Sequence, residues 1–303
     1  MRAAVFDRFG PPEVLHVAEL PDPVPGPGEV LVRVRAAGVQ PFDVAVRRGV
    51  MPWVRAEFPQ QIGQEYAGVV ERTGPGVENV RAGDPVLGST MLNAVAELLT
   101  VPAASLVAKP DSLPFPEAAG LVAAAQTASG ALLELDLTAG DVLLVHAGAG
   151  SVGSIATQLA VRAGATVIGT ASPGNHDRLR AMGATPVPYG IDLLEAVLAT
   201  GLKPTVALDA GGGEAIAQSI ALGVAPERVG TIVDDRAAAE HGARVVRAGR
   251  SPERLAGVVA LAAAGELDLP VLPFAFGEKG VVAAHAAVES RHARGKVVVT
   301  FGS

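Results

Sequence analysis

Gly148-Ala149-Gly150-Ser151-Val152-Gly153 is the stretch of this chain with the clearest chemical capacity. Glycines at this spacing let the backbone turn tightly after a strand and approach a pyrophosphate. The helix that follows then offers unpaired N–H groups and the positive end of its dipole. A GxGxxG pattern says little by itself in a chain with 36 glycines. Its context says more, because an apolar run at 142–145 precedes it and a helical pattern follows. A plain glycine turn in an α/β sheet is the competing reading. Gly150→Val is expected to abolish nucleotide binding, because a branched side chain would occupy the space of the pyrophosphate and does not easily adopt a glycine-type backbone. About 20 residues beyond such a motif, an NAD site places an acid on the ribose hydroxyls. The corresponding stretch, 169–178, has no acid at the strand end. Ser172 and Asn175 can donate to a 2′-phosphate and Arg178 adds charge, which favours NADP(H) over NAD(H). Asp177 is expected one turn into the next helix. An ordinary helix cap is the other reading of Ser172.

These groups need elements to hold them. Residues 141–146 read as the strand before the turn and 152–163 as the helix after it. The alternation continues with strands at 166–170, 205–209 and 228–233 and a helix at 214–222. Ser251-Pro252 is a good cap and first residue for a helix reaching about 265. Such alternation predicts a parallel sheet covered on both faces. An alanine- and leucine-rich helix is expected at 116–134, with Pro116 in its first turn. The first hundred or so residues read differently. Val30, Val32 and Val34 alternate with Leu31, Arg33 and Arg35, the period of a half-buried strand. Further strands are expected at 66–72 and 96–101, and the prolines at 21, 23, 25 and 27 mark 21–28 as an extended connector. The tail returns to mixed character, with a helix at 281–292, Gly295 as its stop and a strand at 297–301.

Composition removes several classes of chemistry. The 303 residues include no cysteine, so disulfides, thiolate metal sites and cysteine nucleophiles are excluded. The six histidines include no i, i+4 pair of the kind that holds a helical zinc. A net charge of −7 argues against a nucleic-acid or anionic-membrane partner. The uncharged run 142–161 has the length of a membrane span. Its glycines and hydroxyls fit a strand, turn and helix better. Charges among the first eight residues leave no apolar run for a signal peptide. A cytoplasmic protein of two domains is expected.

The ordered set of motifs resembles the medium-chain dehydrogenase/reductase superfamily, in its zinc-free quinone oxidoreductase branch that includes zeta-crystallin. The resemblance rests on Met1-Arg2-Ala3-Ala4-Val5, Gly10-Pro11-Pro12-Glu13-Val14-Leu15 and Gly28-Glu29-Val30-Leu31-Val32. It continues through Gly63-Gln64-Glu65-Tyr66-Ala67-Gly68-Val69-Val70, Gly83-Asp84-Pro85-Val86, the Ala147 to Gly153 turn, Asp209-Ala210-Gly211-Gly212-Gly213 and Arg294-Gly295-Lys296-Val297-Val298. The resemblance implies an α/β fold class: a GroES-like β-barrel catalytic domain, residues 1–119 with 266–303, interrupted by a Rossmann doubly wound domain, residues 120–265. It implies a homodimer. It places Thr127 near the nicotinamide-side phosphate and Tyr189 near the adenine ribose. The alternatives are a helix residue bonded to its own backbone for Thr127 and a packing aromatic for Tyr189.

Zinc-dependent relatives carry a cysteine in the segment matching 37–43 and a Gly-His-Glu at the one matching 63–65. Here Gln40 and Gln64 stand there, so a Lewis-acid route is not expected. The branch usually has asparagine at Gln40 and often an aromatic near Ala45. Segment 276–280 also departs from its pattern. The expected enzyme is an NADPH-dependent reductase of conjugated carbonyl compounds, that is quinones, enones or enoyl compounds. An acceptor of this kind is electrophilic without a metal, and hydrogen-bond donors hold the oxygen that gains charge. Gln40, Tyr66 and Asn93 are the candidate donors. The nucleotide-binding set is Thr127, Ala147, Gly148, Gly150, Ser151, Val152, Gly153, Ser172, Asn175, Arg178 and Tyr189. His146 reads as a satisfied structural histidine rather than a catalyst, and Asp43 and Glu65 as buried hydrogen-bonded groups rather than acid/base catalysts. Two other functions fit the sequence: a natural-product tailoring enoyl reductase or reductive cyclase, and a non-catalytic NADPH-binding protein.

Overall fold

The computed structural model describes residues 1–290, Ala293 and 295–302. In chain order, strands β1 (Arg2–Phe6), β2 (Leu15–Glu19) and β3 (Glu29–Gly38) lead into the short helix α1 (Pro41–Arg47). Strands β4 (Gln60–Gln61), β5 (Glu65–Thr73), β6 (Pro85–Ser89), β7 (Leu98–Pro102) and β8 (Val107–Ala108) follow, then the long helix α2 (Phe115–Glu134). The alternating part runs β9 (Val142–His146), α3 (Ser151–Arg162), β10 (Thr166–Thr170), α4 (His176–Ala181), β11 (Thr185–Val187) and α5 (Leu193–Ala199). It continues through β12 (Val206–Asp209), α6 (Ala215–Ala221), β13 (Val229–Thr231), α7 (Asp235–His241) and β14 (Arg244–Val245). The chain ends with α8 (Pro252–Ala263), β15 (Val271–Ala275), α9 (Glu278–Glu289) and β16 (Lys296–Thr300). Packing divides it into two units: Met1–Ala123 joined by the segment from Ser251 onward, and Ala124–Arg250.

The first unit is β-rich. One sheet has the order β2-β1-β4 and the other β15-β16-β3-β5-β6-β8, with β7 also paired to β3. Val30, Val32 and Val34 enter the core while Arg33 faces solvent, as alternation requires, but Leu31 on the opposite face is buried as well. Register shifts between Leu31 and Val32 and between Val34 and Ala36 interrupt the β3–β5 pairing, the irregularity that bends and twists a strand. Residues 21–26 are free of regular structure. Helix α8 is capped as expected: the Ser251 hydroxyl accepts the Arg254 N–H at 3.1 Å.

In the second unit all five strand pairings are parallel, in the order β11-β10-β9-β12-β13-β14. Numbered within the unit this is 3-2-1-4-5-6, the doubly wound dinucleotide-binding order. Strand β9 is central, and Leu143, Leu144 and Val145 are fully buried, which is why it reads as an unbroken apolar run. No helix among the described residues is long and apolar enough to cross a membrane. The uncharged run 142–161 resolves into β9, the glycine turn and α3. Helix α9 begins at Glu278, earlier than its hydrophobic pattern shows. Gly280 lies in its first turn because any Cβ there would overlap the Ala275 carbonyl oxygen. The expected end of that helix, His292, lies outside the described residues.

Candidate functional site

Chemistry-bearing residues gather at one place in each unit. In the second unit it is the turn after β9. Ala147 holds a left-handed backbone, φ +57°, which for a residue with a Cβ is a local strain of about 1–3 kcal/mol. Thr170, at the end of β10, fixes it: its hydroxyl accepts the Ala147 N–H at 3.0 Å and its carbonyl the Gly148 N–H at 2.9 Å. A Cβ on Gly148 would lie 3.2 Å from Gly169 Cα and from Leu179 Cδ2. A Cβ on Gly153 would overlap the Ala147 carbonyl oxygen. Gly148 and Gly153 are therefore glycines of close packing.

Gly150 differs from its expected role. Its φ of −70° and ψ of 170° are open to any residue, so the expectation of a glycine-only backbone is corrected. It caps α3 without a side chain, so no cap oxygen takes the N–H groups of the first turn, where Ser151, Val152 and Gly153 lie. Together with the dipole, this is an anion-binding end.

The end of β10 leads into a turn in which Asn175 Nδ2 donates to Ser172 Oγ at 3.1 Å. Arg178 Nη1 reaches the Ala149 carbonyl at 3.4 Å. Ser172, Asn175 and Arg178 thus stand together beside the glycine turn. Asp177 is exposed and paired with Arg180 at 2.6 Å, so no carboxylate faces that group from the strand end. Tyr189, in the loop after β11, is exposed, and Thr127 is half-buried on α2.

His146 is buried, and its Nε2–H donates to Ser219 Oγ at 2.8 Å while that hydroxyl donates to the Ala215 carbonyl at 2.7 Å. Burial pulls its pKa down to about 4, with Asp209 opposing the shift. The ring is neutral and structural. Asp209 shapes the neighbouring turn by accepting the N–H groups of Gly211 and Gly212 and the Thr231 hydroxyl, at 2.7–2.9 Å.

In the first unit, Gln40 caps α1 and Gln64 precedes β5. The Gln40 amide Nε2 donates to Gln64 Oε1 at 2.9 Å. Gln64 Nε2 meets only a weak acceptor, Met91 Sδ at 3.4 Å. The loop of Met91 is tied in through Thr90, whose N–H donates to the Gln64 carbonyl at 2.9 Å and whose hydroxyl donates to Asn93 Oδ1 at 2.6 Å. Gln40, Gln64 and Asn93 are therefore brought onto adjoining loops.

Tyr66 does not join them. Its side chain is fully buried in the β-rich core, with the hydroxyl against Gly88 and unbonded, and burial pushes its pKa up. The expectation that Tyr66 donates to a substrate oxygen is corrected on that ground.

Beneath the amide pair lies a buried charged cluster. Asp43 Oδ2 accepts the Gln40 N–H at 2.9 Å, which sets the start of α1. Burial pushes its pKa up to about 7, although the Gln40 and Gly63 N–H groups and Lys296 hold it down. Lys296 Nζ pairs with Glu65 Oε1 at 2.5 Å and donates to the Val39 carbonyl at 3.1 Å. Glu65 Oε2 accepts the Ala123 N–H at 2.6 Å. Sequence reasoning missed Lys296, Met91 and Thr90. Buried Asp43 and Glu65 were the available signal for Lys296, since buried carboxylates demand a partner. Among the described residues no group of three histidine, aspartate or glutamate side chains could hold a metal ion.

Comparison with known proteins agrees with this geometry. Residues 26–111 match the alcohol dehydrogenase GroES-like domain. The solved quinone oxidoreductase of Coxiella burnetii is 32% identical and superposes with a TM-score of 0.88, covering 99% of both chains. The chain belongs to the medium-chain dehydrogenase/reductase superfamily. Its relatives place it in the quinone oxidoreductase branch. The Pseudomonas aeruginosa quinone oxidoreductase is 37% identical over 176 residues, 57% of this chain and 54% of that protein. The pikromycin polyketide synthase component PikAII of Streptomyces venezuelae is 40% identical over 164 residues, 54% of this chain and 4% of that protein. This medium-chain reductase thus spans about half the length, or far less, of these curated relatives.

Proposed function

We propose that the chain is an NADPH-dependent, metal-independent oxidoreductase of conjugated carbonyl acceptors. The observation that carries the reading is the glycine turn, tightened by Thr170 and ending in a helix with no side-chain cap. Such a turn suits a pyrophosphate, with the N–H groups of Ser151, Val152 and Gly153 as its holders, and Thr127 is assigned to the nicotinamide-side phosphate by the family resemblance alone. Ser172, Asn175 and Arg178, with Tyr189 nearby on the next loop, suit a ribose 2′-phosphate. NADPH bound there would supply hydride to an electron-poor carbon. The chain's own contribution is orientation and polarisation. The Gln40 amide keeps one N–H beyond its bond to Gln64 and serves as donor to a carbonyl oxygen gaining charge, with Asn93 beside it. In this reading the catalytic domain, expected over residues 1–119 with 266–303, is the first unit, and the cofactor domain, expected over 120–265, is the second; the packing moves the boundaries to Ala123 and Ser251, so α8 goes with the catalytic side.

Tight binding of NADPH over NADH is the first expected result. Hydrogen bonds to a charged group contribute about 1.5–3 kcal/mol. Since about 1.4 kcal/mol is tenfold, Ser172→Ala should weaken NADPH by about 10–150-fold and leave NADH nearly unchanged. Fluorescence titration of both cofactors measures this, and equal wild-type affinities would remove the NADPH assignment.

Gln40→Ala is expected to keep NADPH affinity and slow turnover with 1,4-benzoquinone and an enone. Loss of one donor in a closed site costs about 2.7–4 kcal/mol. Half-buried Gln40 should lose roughly 10–100-fold in single-turnover NADPH oxidation, a solvent-weakened version of that cost. Unchanged rates would take Gln40 out of the chemistry.

A second reading, a tailoring enoyl reductase of natural-product synthesis, is favoured by the 40% identity to a polyketide synthase component. Faster reduction of an enoyl thioester than of any quinone would select it.

A further inference from the structure

The first unit holds a cavity that the proposed reaction does not use. Strand β3 is paired on one edge with β7 through Glu29 to Arg33 and with β16 through Ala36 to Gly38. Between those two partners the sheet forks. The fork is bounded by the Val34 N–H bond to the Glu97 carbonyl and by the Phe301 N–H bond to the Arg35 carbonyl, each 3.0 Å. A cavity of about 310 Å³ opens there, lined by Arg2, Arg33, Arg35, Glu97, Phe276 and Phe301. That is the low end of the size range of small-molecule sites.

Three arginines and one glutamate thus line a cavity in a chain whose net charge is −7. Two of the three are held in place. Glu97 takes the Arg2 side chain at 2.6 and 2.8 Å and its backbone N–H at 2.7 Å. Glu71 takes Arg33 at 2.5 and 2.8 Å. Arg35 has no ion pair with a described carboxylate, and its guanidinium carbon lies 5.9 Å from the Phe115 ring centroid. Part of the cavity wall is aromatic. Phe276 and Phe301 stack with centroids 4.4 Å apart at 26°, and the Arg2 guanidinium carbon lies 5.7 Å from the Phe276 centroid.

We propose that this fork is a binding site for a small planar aromatic anion, an aryl carboxylate or aryl phosphate. Its charged group would pair with Arg35, and its ring would lie against the Phe276–Phe301 stack. A planar guanidinium fork matches either anion in two-point fashion, and stacked phenyl rings favour a flat apolar body. The site is separate from the amide pair and does not depend on the reductase reading.

Calorimetric titration of the whole protein with salicylate and phenyl phosphate tests it. Benzyl alcohol supplies a ring without charge and inorganic phosphate a charge without a ring. The expected result is one saturable site per chain for an aryl anion, at least tenfold tighter than for either control. The tighter of the two aryl anions identifies the head group. Arg35→Gln should weaken that binding at least tenfold, and Phe276→Leu several-fold, while Gln40→Ala leaves it unchanged. Circular dichroism checks that each variant is folded, and the two lie on different strands and segments, so either can carry the test. Inorganic phosphate binding as tightly as the aryl anion would reduce the fork to a charged surface and overturn the proposal. Binding that persists in Arg35→Gln but disappears in Gln40→Ala would place the probe at the amide pair and overturn it equally.

Discussion

Gly153→Val will lower the melting temperature of the protein and eliminate measurable nucleotide binding. Any Cβ at this position overlaps the Ala147 carbonyl oxygen and crowds Gly148 Cα at 2.9 Å. Both are backbone atoms of the turn itself, so no flexible side chain can move aside. Overpacking typically costs about 1–3 kcal/mol, and a clash with backbone belongs at or above the top of that range. For a domain of this size that is a fall of roughly 6–12 °C. The displaced carbonyl belongs to Ala147, whose left-handed φ is held by Thr170, so the same shift breaks the cradle. Gly150→Ala is the informative companion. Its Cβ would meet only the Ala147 oxygen, at 3.2 Å, and its backbone is ordinary. It should melt only about 2–4 °C below wild type, because its backbone is ordinary and the Ala147 oxygen must give only slightly, yet bind NADPH more weakly, because the oxygen that gives belongs to the same turn. Differential scanning calorimetry and cofactor titration measure both. A Gly153→Val protein with wild-type melting and affinity would show that the turn is not built as described.

This contrast marks how far the sequence could be read. Spacing reveals that several glycines follow a buried strand and open a helix, and the parallel sheet of the second unit is legible because its strands are continuous apolar runs. Spacing does not reveal which glycine is required by packing, which by backbone shape and which by a ligand. Those differ only in what a Cβ would touch, a property of the folded turn. Ala147, the turn's one left-handed residue with a side chain, leaves no mark in the sequence.

Tyr66 departs from its expected role for a related reason. Strand β5 lies between β3 and β6 and its first four residues are all buried. Alternation therefore does not separate an inward face from an exposed one there. Gln40 and Gln64 are far apart in the chain, and no periodicity connects them. Only the family resemblance paired them, and the structure adds the hydrogen bond between them. Lys296 was invisible as their neighbour because a lysine in a C-terminal strand reads as solvated until its carboxylate partner is located. The two-residue strands β4, β8 and β14 are too short to show any alternation.

Asp43→Asn will stabilise the protein at pH 8 and have little effect at pH 4. The sign follows from proton uptake. Burial, the largest influence, raises the folded-state pKa of Asp43 from 3.8 to about 7. Below about pH 4 the group is protonated whether folded or not, and it imposes no penalty. Between about 4 and 7 the unfolded chain loses the proton while the folded chain keeps it, so stability falls as pH rises. Above 7 the penalty is complete. A shift of about three units corresponds to roughly 4 kcal/mol at most.

Asparagine retains an acceptor for the Gln40 N–H and removes the charge, so the expected gain at pH 8 is about 1–4 kcal/mol, a fraction of that ceiling. The buried histidines work in the opposite direction. His146 and His285 are pulled down to about 4 and about 3, chiefly by burial. Their contribution is full above 6.5 and is lost as pH falls toward those values. Wild-type stability between pH 4 and 6.5 is thus a contest in which Asp43 favours acid and His146 and His285 oppose it, joined near pH 4 by Glu97 and Glu253, whose pKa values are held down. Removing Asp43 leaves the histidines unopposed, so Asp43→Asn should lose stability on acidification more steeply than wild type. His285→Leu, which replaces a ring with two unbonded buried nitrogens, should flatten the same slope. Calorimetric melting of wild type and both variants at unit intervals from pH 4 to 8 separates these contributions. A pH-independent difference between Asp43→Asn and wild type would mean that Asp43 is ionised throughout the range, with Lys296 rather than burial governing its charge.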